Sequence, residues 1–161
     1  MIESWDSFFV AETAAAAALL GLLFVAISIN LKEVIGSGGL ADRALGALTL
    51  LLAILIAGLL LAMPDQPVAV MGGEVATIAV FTGAIVTLLG FRGLRASAPE
   101  YRGNFVQNIV ANLVALAPIL IGGFLMFGGG EAGFYWVAVG MCATLVKAVS
   151  EGWIFLVEIN R

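Results

Sequence analysis

Histidine is absent from the 161 residues, and cysteine occurs once, at Cys142. Without imidazole, most acid–base catalysis at neutral pH and most transition-metal sites are excluded. A single thiol forms no intrachain disulfide, and its place within an apolar run reads as a small packing residue. Charge is scarce as well: Asp, Glu, Lys and Arg make up 11% of the chain, where a soluble domain carries about 25%. Only seven residues are Lys or Arg and the net charge is −4, so the clustered basic footprint that nucleic acid requires is missing. The opening "MIESWDSFFVAETAAAAALLGLLFVAISINL" has no basic lead and an apolar stretch too long for a secretory h-region, so it reads as an uncleaved first span. With no metal-ligand cluster and no paired intramembrane aspartates, neither an enzyme nor a bound cofactor or metal is expected.

Apolar sequence is what remains. Hydrophobic residues are 62% of the chain and the mean hydropathy is +1.13, the profile of an integral membrane protein of one domain. Five apolar runs stand out, at roughly 8–31, 43–63, 72–91, 104–127 and 132–158. The first helix is expected to extend toward Ile35. Asp42 reads as the N-cap of the second, and Pro64 stops it, with "MPDQP" as a tight turn. The third is the shortest. "SAPE" ahead of the fourth reads as a capping box, and "GGGEAG" separates the fourth from the fifth. At about 1.5 Å of rise per residue each run can cross about 30 Å of hydrocarbon. Helices are the expected form, because oil offers the backbone no hydrogen-bond partners. The fold expected is an all-α bundle of five transmembrane helices.

The cations set the expected threading. Lys32, Arg43, Arg92, Arg95, Arg102 and Arg161 lie in loops or tails on one side of such a bundle, whereas Glu3, Asp6, Asp65 and Glu131 lie on the other. The positive-inside rule then places the N-terminus outside and the C-terminus in the cytoplasm. Trp5, Phe8, Phe9, Tyr135 and Trp136 fall at the outer boundary, Tyr101 and Trp153 at the inner one. Small residues spaced by four, Ala14/Ala18, Ala17/Gly21, Ala53/Ala57 and Gly58/Ala62, suit close helix packing within the chain.

The last run, "TLVKAVSEGWIFLVEINR", places ions where oil is expected. Thr144, Lys147, Glu151 and Glu158 fall within about 60° of arc on one helix face, with Lys147 near the middle of the span and Glu151 one turn below. A charge at the centre of a span costs about 2.5–3.5 kcal/mol on insertion scales, so these groups should face protein or water. A second stripe, Asn104, Gln107, Asn108 and Asn112, covers roughly 140° of the fourth span. If these spans are neighbours, the two stripes form one polar seam running from the cytoplasmic side to mid-membrane. Pro118, beyond Asn112, is expected to free a carbonyl there. Glu12 and Glu74 are expected to reach the headgroups.

Two readings of the seam stay open. In one it is a path for a small ion or proton, with Asn108 and Asn112 as dipolar ligands and Lys147 and Glu151 setting charge selectivity. In the other it is interhelical glue in a non-conducting adaptor that grips partner helices. The expected partners are the lipid bilayer, other copies of the chain in a homo-oligomer, and in the first reading a small ion. The opening "WDSFFVAETAAAAALLGLLFVAISINL" with the ending "WIFLVEINR" resembles a group of small bacterial integral membrane proteins, some labelled modulators of a membrane protease. That resemblance implies a multi-pass protein of the bacterial inner membrane and carries no functional residue with it.

Overall fold

The computed structural model describes residues 3–36, 39–96 and 102–159, with side chains over 5–36, 39–95 and 103–157. The described residues are all-α. Six helices follow in order: α1 Glu3–Ile29, α2 Leu31–Gly36, α3 Leu40–Leu61, α4 Val68–Ala96, α5 Arg102–Phe127 and α6 Gly133–Ile159. All but α2 are long and apolar enough to cross a membrane, as expected of a multi-pass membrane protein. The exposed surface agrees. Leu22, Phe24, Ile29, Phe81, Val114 and Phe124 all point outward, a covering that water penalises and lipid does not.

The helix ends differ from the sequence reading in instructive ways. The break between α1 and α2 falls at Asn30, whose side chain donates to the Ala26 carbonyl at 2.9 Å while its own backbone N–H reaches that carbonyl at 3.3 Å. The side chain competes for the acceptor that would continue the helix. Asp42 is not the N-cap of α3. Gly39, in the left-handed region at φ 98°, occupies that position and Asp42 lies in the first turn, where its charge still favours the helix dipole. The third span is the longest helix, not the shortest, with 29 residues. Its "RGLR" segment stays helical because arginine is a good helix former and sits at a helix C-terminus. The charges end the apolar run without ending the helix. The turn after α3 carries Asp65 at φ 59°, and the one after α5 carries Gly129 at φ 81°. "SAPE" and Tyr101 lie outside the described residues.

α3, α4, α5 and α6 form a ring in which each packs on the next and α6 closes back on α3; α1 leans on α3 and α6 from outside. The ring interior is filled by Leu50, Ile54, Ile119, Val137 and Met141, all buried. Glycine sets the closest approaches. A Cβ on Gly123 of α5 would stand 2.8 Å from Ala76 N and 2.9 Å from Gly72 O on α4; one on Gly122 would stand 2.6 Å from Gly133 O and 2.7 Å from Val137 N on α6. Backbones packed this tightly gain dispersion contact where no hydrophobic drive separates protein from lipid. Of the small-residue pairs, Ala53, Ala57 and Gly58 are buried, with Gly58 against Thr13 of α1. Ala14, Ala17, Ala18 and Gly21 are exposed, and a Cβ on Gly21 would meet nothing within 4 Å. Cys142 is likewise exposed, so it does not fill the packing role expected of it.

Lys32, Arg43, Arg92 and Arg95 lie at one end of the bundle, here the cation-bearing end. At the other end Trp5 stacks on Phe9 and on Phe134, with centroids 5.9 and 6.1 Å apart, and meets Tyr135 edge-on at 4.7 Å.

Candidate functional site

α5 and α6 are neighbours, and the polar residues at their shared face converge on one carboxylate. Glu151 is 5% exposed. Asn108 Nδ2 donates to its Oε1 at 2.6 Å, and the Lys147 ammonium, one turn along α6, pairs with the same oxygen. From α3, Arg43 Nε stands 3.7 Å from Oε2. Asn112 is one turn further along α5 and donates to Asn108 Oδ1 at 2.9 Å. The result is a chain of donors, Asn112 to Asn108 to Glu151, closed by two cations.

The local sequence explains each placement. Asn108 and Asn112, like Lys147 and Glu151, are four residues apart and so share a helix face. The Lys-before-Glu order is the weaker one in an isolated helix, but burial lowers the local dielectric and strengthens the pair. Arg43 reaches the site because α3 begins near the cation-bearing end and its fourth residue, counted from Leu40, turns inward. The charges are arranged so that neither cation is left alone, as burial of ions demands. Lys147, with its side chain 15% exposed, is turned into the bundle.

A cavity of about 30 Å³ adjoins the cluster, lined by Asp42, Arg43, Asn108, Asn112 and Glu151 together with Val86 and Gly90 of α4. All four ring helices therefore contribute to it. One buried acceptor beside it, Asn112 Oδ1, has no hydrogen-bond partner. A cavity of this size has room for about one or two waters, and an orphaned amide oxygen asks for a hydrogen-bond donor such as water, or for a small cation to coordinate.

Thr144 serves a different purpose. It is completely buried and donates to the Ala115 carbonyl of α5 at 3.2 Å. Pro118 lacks the N–H that would bond the carbonyl four residues back, and its ring pushes the preceding turn open. The carbonyl so deprived is that of Val114; the Thr144 hydroxyl bonds its neighbour, the Ala115 carbonyl, and ties α6 to α5 beside the proline.

The polar stripe of α5 is thus divided. Asn108 and Asn112 enter the cluster, whereas Asn104 and Gln107 are exposed on the outside of the helix. The reason is angular: a stripe about 140° wide cannot all face one neighbour. The Glu158 side chain lies outside the described residues. Arg43, read from sequence as a loop cation, is a member of the cluster. Its proximity to α3's apolar run was the available signal, since a cation inside the first turn of a buried helix must find a partner.

Two other carboxyls stand apart. Glu74 Oε2 accepts from Gln66 Nε2 at 2.8 Å in the α3–α4 turn region. Glu12 does not reach outward as expected: it is 9% exposed, and its Oε1 has no partner. Among the described residues no group of three or more acidic or thiol side chains is placed to hold a metal ion.

No protein-family model matches the chain, and comparison with curated proteins and with solved structures gives no match either.

Proposed function

We propose that the chain is a five-span protein of the bacterial inner membrane, N-terminus outside and C-terminus cytoplasmic, that works as a homo-oligomeric, proton-linked conduit for a small ion. The threading follows from the cation distribution under the positive-inside rule. In this reading the cation-bearing end is cytoplasmic and the Glu151 cluster is a half-site that an ion or proton reaches from that side. The observation that carries it is the cavity of about 30 Å³ beside Glu151, part polar and part apolar in its lining, next to the unpartnered Asn112 Oδ1. A structural ion pair alone needs no vacant acceptor. Glu151 would bind the transported cation or proton; Lys147 and Arg43 would set charge selectivity and release. Leu50, Ile54, Ile119 and Met141 fill the ring above, and in this reading they are the barrier toward the opposite face.

Subunits meet, in this reading, through the exposed Ala14, Ala17, Ala18 and Gly21 face of α1, where close backbone approach is open to a second helix. The test is ion flux from vesicles containing purified protein, under several salts and imposed voltages. Lys147→Ala is expected to change that flux; leakage equal to protein-free vesicles under all conditions overturns the conduit.

One observation favours a second reading, a non-conducting adaptor. Lys147, Arg43 and Asn108 are all engaged with Glu151 inside one chain, so the carboxylate has its partners without cargo. An adaptor shows no flux, yet Asn112→Leu changes its oligomer size or the helices that co-purify with it.

A further inference from the structure

We propose that Glu12 is a second intramembrane proton-binding site, a carboxyl carried as the neutral acid in the half of the bundle opposite Glu151. This rests on the five-span threading above but not on conduction, because a chain that passes no current can still hold this proton.

The position is set by α1. Glu12 lies seven residues below Trp5, about 10 Å of rise, and Trp5 belongs to the aromatic group with Phe9, Phe134 and Tyr135 that closes the end of the α1–α6 contact. Aromatic belts mark the headgroup level, so Glu12 sits in the hydrocarbon layer beneath one. It is 9% exposed, and Oε1 has no hydrogen-bond partner. None of the ion pairs among the described residues includes it.

Among the described residues the surroundings offer no compensating charge. On α6, Cys142 is the ionisable group in electrostatic reach, and a thiol brings no positive charge. Lys147, about 8 Å further along α6, is turned to Glu151. On α3 the residue at this level is Gly58, packed on Thr13, while Asp42 and Arg43 lie about 22 Å away toward the other end. On α1 itself Asp6 is exposed at the level of the aromatic group. An ionised carboxylate with an orphaned oxygen in an apolar medium is far costlier than the neutral acid. The same feature makes the proton exchangeable: any motion that admits water or a cation beside Oε1 releases it. The membrane would then carry one proton-binding carboxyl near each face, separated by the apolar filling of the ring.

The test uses whole protein in lipid vesicles at pH 7 with dicyclohexylcarbodiimide, a lipid-soluble reagent that requires a protonated carboxyl. The carboxyl O–H adds across one N=C bond to give an O-acylisourea, and the acyl group then migrates to nitrogen. The N-acylurea product keeps every atom of both reactants. Mass spectrometry of the digested protein is expected to find Glu12 modified at least tenfold more than the exposed Glu33 and Glu131, since an exposed glutamate is well under about 1% protonated at pH 7. Infrared difference spectra of wild type against Glu12→Gln are expected to show loss of one protonated-carboxyl carbonyl band at the same pH. The infrared result decides: loss of the band supports the site, and an unchanged band overturns it, whatever the labelling. Should Glu12→Gln fail to assemble, labelling of the wild type decides alone, and modification no greater than at Glu33 and Glu131 overturns the site. Failure here is separable from failure of the conduit. An unchanged band with Lys147-dependent flux removes only the proton site; a lost band with no flux removes only the conduit.

Discussion

Glu151 and Glu12 are buried to nearly the same degree, at 5% and 9% exposure, yet their environments are opposite. Glu151 receives an ammonium, a guanidinium and an amide; Glu12 has an oxygen that receives nothing. Burial by itself therefore does not fix what a carboxyl does. The partners do: a carboxyl surrounded by donors has its charge compensated where it stands, and one deprived of them does not. The two residues also differ in architecture. Glu151 sits within the four-helix ring and ties α3, α5 and α6 together, whereas Glu12 lies on α1, the least buried of the long helices.

The most direct way to break the comparison is to remove each carboxylate in turn. Glu151→Leu leaves Lys147 and Arg43 as two half-buried cations without their shared anion, a loss expected to cost about 2–4 kcal/mol, below the full cost of breaking a deeply buried pair. Thermal unfolding in detergent, followed by loss of the monodisperse species, measures it. Lys147→Met should cost less, about 1–3 kcal/mol, because Arg43 and Asn108 still hold the carboxylate. If the two variants unfold at the same temperature, Arg43 contributes nothing and the three-helix tie is wrong. Thr144→Val comes next. It removes the hydroxyl from the Ala115 carbonyl beside Pro118, and intramembrane hydrogen bonds of this kind are worth about 0.6 kcal/mol on average and about 1.7 at most. Glu12→Leu closes the contrast from the other side. Deleting an unpartnered polar group should leave stability unchanged or raise it by up to about 1 kcal/mol. A loss comparable to that of Glu151→Leu would reveal a hidden cation and end the distinction.

How much of this was legible beforehand depends on which physical rule governs each residue. The five long helices were, because their apolar runs obey a length rule set by the bilayer. So was the pairing of Lys147 with Glu151, since a four-residue spacing fixes neighbours on a helix whatever surrounds it. Helix ends were not: Arg92 and Arg95 interrupt hydrophobicity but not helicity, and Asn30 ends a helix through a side-chain bond that composition does not reveal. The contribution of Arg43 depended on which helix stands third against the seam, and that is tertiary information. The rotation of α1 was equally hidden. A small-residue face and a carboxyl on one helix do not say which turns inward; Gly58, fitting only Thr13 and the Phe9 backbone, decides it.

The stripe on α5 gives the subtlest test, because its four amide residues look equivalent in sequence and differ only in azimuth. Asn108 and Asn112 enter the cluster, and Asn104 and Gln107 face outward. Replacing both outward residues by leucine should shift stability by no more than about 0.5 kcal/mol in either direction, as exposed positions usually do. Flux from vesicles, if wild type supports any, should be unchanged as well. Asn112→Leu, one helix face away, removes the donor to Asn108 Oδ1 and fills the polar cavity, so it should lower flux while altering stability only modestly. Equal effects from the outward pair and from Asn112 would mean that the whole stripe faces one surface, through a rotation of α5 or a contact between copies. The cluster would then no longer be a property of the single chain.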